Sequence, residues 1–391
     1  MRSICIYLQV HQPFRVDSRT VFEGKYFGVG NKEIFEKVAK NSYQPTNKVL
    51  IDLLKRHKNF KLSLSISGVA LDQMEEYSPK TLKSFRELFK TGKVEILSET
   101  YYHSLAFFYS LEEFERQVDM HRRKIKKLFG QNPIVFRNTE LSYNNDLAKW
   151  AEQKSYEGIL TEGWRQILKD KSPNFLYQPK GTNKIKVFLR NSRFSNDIAF
   201  RFSNKEWPGW PLTSKKFTDW VTEAKGDTIN LFMDYESFGE HQQKSSGIFE
   251  FLKEIPDEIT KKGWIFKTVS ETIKSCEPKG EFDIPKVLTW ADTERDLSAW
   301  SGNKMQRLAL KAIYALEKDV LMTKNKKIIE DWRRLQTSDH FYYMCTKTHN
   351  DGGVHSYFSP YGSPYEASKA FKIALEHLKF RIDKIRKPEK K

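Results

Sequence analysis

Cysteine is nearly absent. Only Cys5, Cys276 and Cys345 occur among 391 residues, an odd number with no CxxC pair and no metal-ligand spacing, so a disulfide framework is not expected. No stretch approaches the roughly 18 apolar residues of a membrane span. The opening run MRSICIYLQVHQPF is already broken by Gln9 and His11 and carries no small-residue cleavage site, which points to a cytoplasmic protein without a secretory leader. Acids are the scarcer charge: 50 Asp and Glu against 67 Lys and Arg leave a net +17. That excess is scattered through stretches such as KRHKNFKL and HRRKIKKLF, which read as solvated helix faces. With no recognition module beside it, neither a nucleic acid nor a membrane is expected as partner. Low-complexity linkers are missing too, so any two domains should share a close interface.

What the chain does have is a repeated pairing of a short apolar run with a helical stretch. ICIYLQV, KLSLSIS, KVEIL, PIVFRN, GILTE, KIKVFLR and TINLFMD read as seven strands. Helical patterns such as NKVLIDLLKRHKNF and PKTLKSFRELFKTG separate them, the latter with Gly92 at its end. WIFKTVS reads either as a short eighth strand or as a connection. Near-continuous apolar strands alternating with helices mean a parallel α/β structure covered on both faces. After EPKGEFDIPKVLTW, from about residue 293 onward, strand signals fade and long helical stretches take over. The predicted architecture is therefore a barrel-like α/β domain over 1–285 and a helical domain over 286–391 packed on it.

The residues just past the strands are His11, Ser67, Glu99, Glu140, Glu162, Asn191 and Asp234. In a parallel barrel these positions converge on one rim, where such folds keep their chemistry. Acids placed repeatedly at that rim suit glycoside hydrolysis, which needs one ionised carboxylate and one that holds a proton. Glu140 and Asp234 are the expected pair. Aromatic residues that can stack on sugar faces include Tyr102, Trp290, Trp300 and, in the loop EWPGWP, Trp207 and Trp210.

Five stretches taken in order resemble the sequence signatures of glycoside hydrolase family 57, α-amylase-like branch. They are VHQPF (10–14), GKVEILSETYYHSL (92–105), FRNTELSY (136–143), MDYESFGEH (233–241) and LTWADTERDLSAWSGNKMQ (288–306). The resemblance implies an incomplete (β/α)7 barrel with a C-terminal helical domain, which leaves WIFKTVS outside the barrel. It also implies retaining chemistry on α-glucans, with Glu140 as nucleophile and Asp234 as general acid/base.

Around that pair, His11 is expected to hydrogen-bond a sugar hydroxyl, and Glu99 and His103 to line the subsite or else to pair with a neighbouring arginine such as Arg137. Glu236 and His241 are expected to sit close to the acid/base. Trp300 is expected to contact substrate, and Asp292 and Asp296 to join the two domains. The loop THNDGGVHSYFSPYGSPYEA (348–367) is a candidate lid. No metal and no cofactor is expected; an α-glucan or maltooligosaccharide is the expected partner. The alternatives are a 4-α-glucanotransferase or branching enzyme using the same acids, a metal-dependent deacetylase, and a non-catalytic glucan-binding protein.

Overall fold

The computed structural model describes residues 2–28, 30–347 and 359–386. Seven parallel strands form its centre: β1 Ser3–Val10, β2 Leu62–Ile66, β3 Val94–Ile96, β4 Val135–Arg137, β5 Gly158–Glu162, β6 Lys186–Arg190 and β7 Thr228–Asp234. Regular pairing divides them into a sheet ordered β3-β2-β1-β7 and a sheet ordered β4-β5-β6. Two thinner seams join the sheets into an incomplete barrel. A single parallel bridge links Ser98 to Phe136, and the Asn191 N–H donates to the Asn230 carbonyl at 2.9 Å. Ile265–Phe266 pairs with Ser3 and Ile4 at the start of β1 and stands outside the seven.

Alternation along each strand decides which side chains enter the barrel. In β1, Ile4, Ile6, Leu8 and Val10 pack outward against the helices, whereas Cys5 and Tyr7 belong to the inner cluster. In β7, Ile229, Leu231 and Met233 face outward and Phe232 inward. Two residues beyond Phe232, the same parity turns Asp234 into the barrel mouth. Gln9 is its register partner on β1.

The helices between strands start where the sequence supplies caps. Ser67 Oγ accepts the Ala70 N–H ahead of Gly68–Tyr77, and Ser110 Oγ accepts that of Glu113 ahead of Leu111–Phe129. Each such cap contributes about 1 kcal/mol. A second core cluster joins Phe136, Ile159 and Val187 of the barrel to Leu310, Trp332 and Phe371 of the helical region. Among the described residues no helix is long and apolar enough to cross a membrane. Of the candidate lid, 348–358 lie outside the described residues.

Candidate active site

The barrel mouth opens into a cleft of about 430 Å³, within the range usual for small-molecule sites. His11, His103, Glu140, Asp234, Glu236 and Trp290, all singled out in the sequence, line it together.

Glu140 follows β4 in a tight turn with φ 59°. Trp290 Nε1–H donates to its Oε2 at 2.8 Å, and His103 Nε2 and Ser338 Oγ reach Oε1 at 3.3 and 3.5 Å. His103 Nδ1 meets Glu99 Oε2 at 3.2 Å, so one imidazole bridges two carboxylates. Burial alone would lower the His103 pKa, but its hydrogen bonds with Glu140 and Glu99 raise it to about 9. Burial likewise works against ionised Glu140 and Glu99. The hydrogen bond and charge of His103, with Arg137 behind them, outweigh it, holding Glu140 below its ordinary value and Glu99 at about 2. Glu99 is fully buried beneath the cleft, where Gln9 Nε2 also donates to it at 3.2 Å.

Asp234 goes the other way. Burial first, then the negative charge of Glu140, push it up to about 6 against the opposing effect of Arg137, Arg190 and His103. A rise of that size corresponds to about 3 kcal/mol in favour of the protonated acid. Two carboxyls in one cleft are thus driven apart, one ionised and one able to keep a proton.

A third acid stands beside them. Tyr43 OH donates to Glu236 Oε1, and Gln12 Nε2 donates to the same oxygen at 3.3 Å. Burial, then Asp234, raise Glu236 to about 8. Tyr43 is delivered by a π-helical turn, Ala39–Tyr43. Burial lowers His241 to about 4, and its ring stacks near Phe200, with centroids 6.3 Å apart.

His11 is held at both ring nitrogens. Nδ1 lies 2.7 Å from Ser67 Oγ and Nε2 lies 2.9 Å from Asp339 Oδ2. Its ring stacks on that of His103 with centroids 3.9 Å apart. Burial, then the neighbouring His103, lower its pKa against the pull of Asp339 and Glu99, which favours the neutral ring. The bonds then fit one tautomer. Ser67 Oγ accepts from Ala70 N–H and donates its own proton to Nδ1, while Nε2–H donates to Asp339.

Other sequence candidates fall elsewhere. Tyr102 is buried, with its hydroxyl donating to Glu330 at 2.7 Å. Trp300 is buried in the helical core, whereas Asp292, expected only to join domains, lines the cleft. Trp207 and Trp210 do not line it either. Trp207 packs on the outer barrel core, edge-on to Trp220, and Trp210 is exposed with Lys205 near its ring. Gly209 lets the loop close over the Trp207 ring, where a Cβ would meet it at 2.4 Å.

The sequence pointed to Arg137 only as an alternative partner for Glu99 or His103, and not at all to Arg190, Phe200, Asp339 and Tyr342; all five are in the lining. The two arginines lie 5.3 and 5.7 Å from the Trp290 ring. Each is the last residue of its strand, just short of the positions, Glu140 and Asn191, that the strand-end argument took. Asp339 and Tyr342 come from a short helix with no such signal. Among the described residues no group of three or more His, Cys, Asp or Glu side chains is arranged to hold a metal ion.

The family profile of glycosyl hydrolase family 57 matches residues 5–285. A chain of Methanocaldococcus jannaschii, provisionally named an alpha-amylase, is 41% identical over 98% of this chain and 85% of its own. A 4-alpha-glucanotransferase of Thermococcus litoralis is 23% identical over 70% of this chain, which spans 41% of that longer protein. The solved branching enzyme of Thermococcus kodakaraensis superposes over 100% of this chain and 92% of its own, with a TM-score of 0.72 at 15% identity. That last likeness concerns the fold. The profile match across most of the barrel, with the paired acids at its mouth, shows that the chain belongs to glycosyl hydrolase family 57.

Proposed function

We propose that this protein is a retaining α-glucan hydrolase of the α-amylase type, cleaving α-1,4-glucosidic bonds by double displacement. The observation that carries the reading is the division of charge in one cleft, with Glu140 held ionised and Asp234 able to keep a proton. Glu140 attacks the anomeric carbon while Asp234 protonates the departing glycosidic oxygen. Asp234, now a base, takes a proton from the water that releases the glycosyl-enzyme. The His103 imidazolium and the Trp290 indole keep the nucleophile charged and aimed. Phe200 and Tyr342 supply aromatic surface in the lining.

In this reading residues 1–285 form the catalytic barrel and 286–391 the helical domain that closes one wall. Three buried, unpaired cysteines agree with a cytoplasmic location. Transfer to a second sugar is the other outcome of the same chemistry, supported by the glucanotransferase among the relatives. The test is the product ladder from maltoheptaose. Shorter oligomers with retained anomeric configuration are expected, and longer ones would mean transfer. Glu140→Gln and Asp234→Asn should each lower kcat by about 1,000-fold or more. Undiminished turnover in either variant would reject the reading.

A further inference from the structure

His11 presents a difficulty for any scheme in which it alone grips the sugar. Ser67 occupies one ring nitrogen and Asp339 the other, and one face of the ring is covered by His103. The polar atom left open belongs to the carboxylate that His11 holds. Asp339 Oδ2 accepts from His11, whereas Oδ1 has no hydrogen-bond partner among the described residues. The side chain is 19% exposed and lines the cleft.

Its position is fixed by backbone bonds. Thr337 forms an antiparallel bridge with Ser104, and the Ser338 N–H donates to the His103 carbonyl at 2.9 Å. The strip 337–339 is thus stitched to the segment carrying His103, and Ser338 Oγ itself reaches toward Glu140. A carboxylate oxygen in a partly buried cleft needs donors, and glucosyl hydroxyls are donors of suitable size and charge.

We propose that Asp339, from the helical region, is a substrate-binding residue whose free Oδ1 accepts a hydrogen bond from a glucosyl hydroxyl while His11 holds Oδ2. The inference rests on the glucan reading above. It makes the cleft a composite: the barrel supplies the reacting acids and the helical region supplies a charged acceptor for the sugar beside them. His11 then acts as a positioning residue, binding sugar through the carboxylate that it orients.

The rival role for Asp339 is to tie the two parts of the molecule together through His11. Asp339→Asn separates the two. An asparagine carbonyl can still accept from His11 Nε2–H, so the tie survives, but its NH2 then faces the cleft and the charged acceptor is gone. The experiment is calorimetric titration of the full-length Glu140→Gln chain with maltoheptaose, with and without Asp339→Asn, beside thermal unfolding of both. We expect affinity to fall about 10- to 100-fold with little change in melting temperature. In the active chain Asp339→Asn should raise KM in step. Affinity within threefold of the Glu140→Gln chain overturns the inference, as does a lowered melting temperature with affinity unchanged. A parent chain that neither binds nor cleaves maltoheptaose overturns the glucan reading as well, and that outcome is distinct from the first two.

Discussion

At the scale of single residues, the working difference between Glu140 and Asp234 is how each meets positive charge. Glu140 has the His103 imidazolium and the Trp290 N–H in direct hydrogen bonds, while Asp234 has burial and the charge of Glu140 against it. In the proposed mechanism the active form has Glu140 ionised and Asp234 protonated. The pH profile of kcat/KM should therefore rise as Glu140 ionises, below the ordinary glutamate range, and fall as Asp234 loses its proton near pH 6, both being apparent values of the coupled pair. Arg137 favours the ionised form of both acids. Arg137→Met should accordingly move both limbs to higher pH, the falling limb to above 6. A falling limb that stays put would show that Arg137 does not favour the ionised form of Asp234. The placement of both acids at the barrel mouth was legible because they sit in FRNTELSY and MDYESFGEH at strand ends. Arg137 stood in the first of those stretches, yet its part depends on a three-dimensional neighbourhood, its approach to Trp290, that spacing does not reveal.

At the scale of elements, strand parity carried most of what could be read. Alternation along β1 and β7 places Cys5, Tyr7 and Phe232 inside the barrel and so aims Asp234 at its mouth. Loops offer no such rule, which is why EWPGWP misled: Trp207 packs on the outer core and Trp210 is exposed, so neither lines the cleft. The turn after β2 can be tested. Gly68 opens the helix Gly68–Tyr77, and a Cβ there would lie 2.3 Å from the Tyr101 ring. Gly68→Ala should cost about 1–3 kcal/mol through this overpacking, read by urea unfolding. Because Ser67 is the preceding residue and holds His11, kcat/KM should fall as well. Gly92, at φ 70° with nothing within 4 Å of its Cβ position, is the control. Gly92→Ala should cost about 1 kcal/mol through backbone strain and leave kcat/KM unchanged. Equal losses of activity in the two variants would refute a local link from Gly68 to the site.

At the scale of the whole molecule, the long helical stretches beyond about residue 293 were legible, but the contacts they make with the barrel were not. Periodicity marks helices and says nothing about which barrel residues they meet. Glu113, fully buried on the helix after β3, is bonded by Arg333 at 2.8 and 3.2 Å from the helical region, with Arg116 at 3.4 Å. The second core cluster runs through both parts, and Trp290, Ser338 and Asp339 reach the cleft from beyond 285. The family profile ends at 285, yet these contacts argue against a barrel that works without the helical region. Arg333→Met removes the two-pronged partner of a buried carboxylate and should destabilise the protein by about 3 kcal/mol, the lower end for a broken buried pair, because Arg116 remains. Truncation after Pro285 goes further: Phe136, Ile159 and Val187 lose their apolar cover, and Glu140 loses its indole donor. The truncated chain should show no cooperative thermal transition and no turnover of maltoheptaose. A truncated chain that melts cooperatively and cleaves glucan would mean that the helical region is an accessory, and that Asp339 is too.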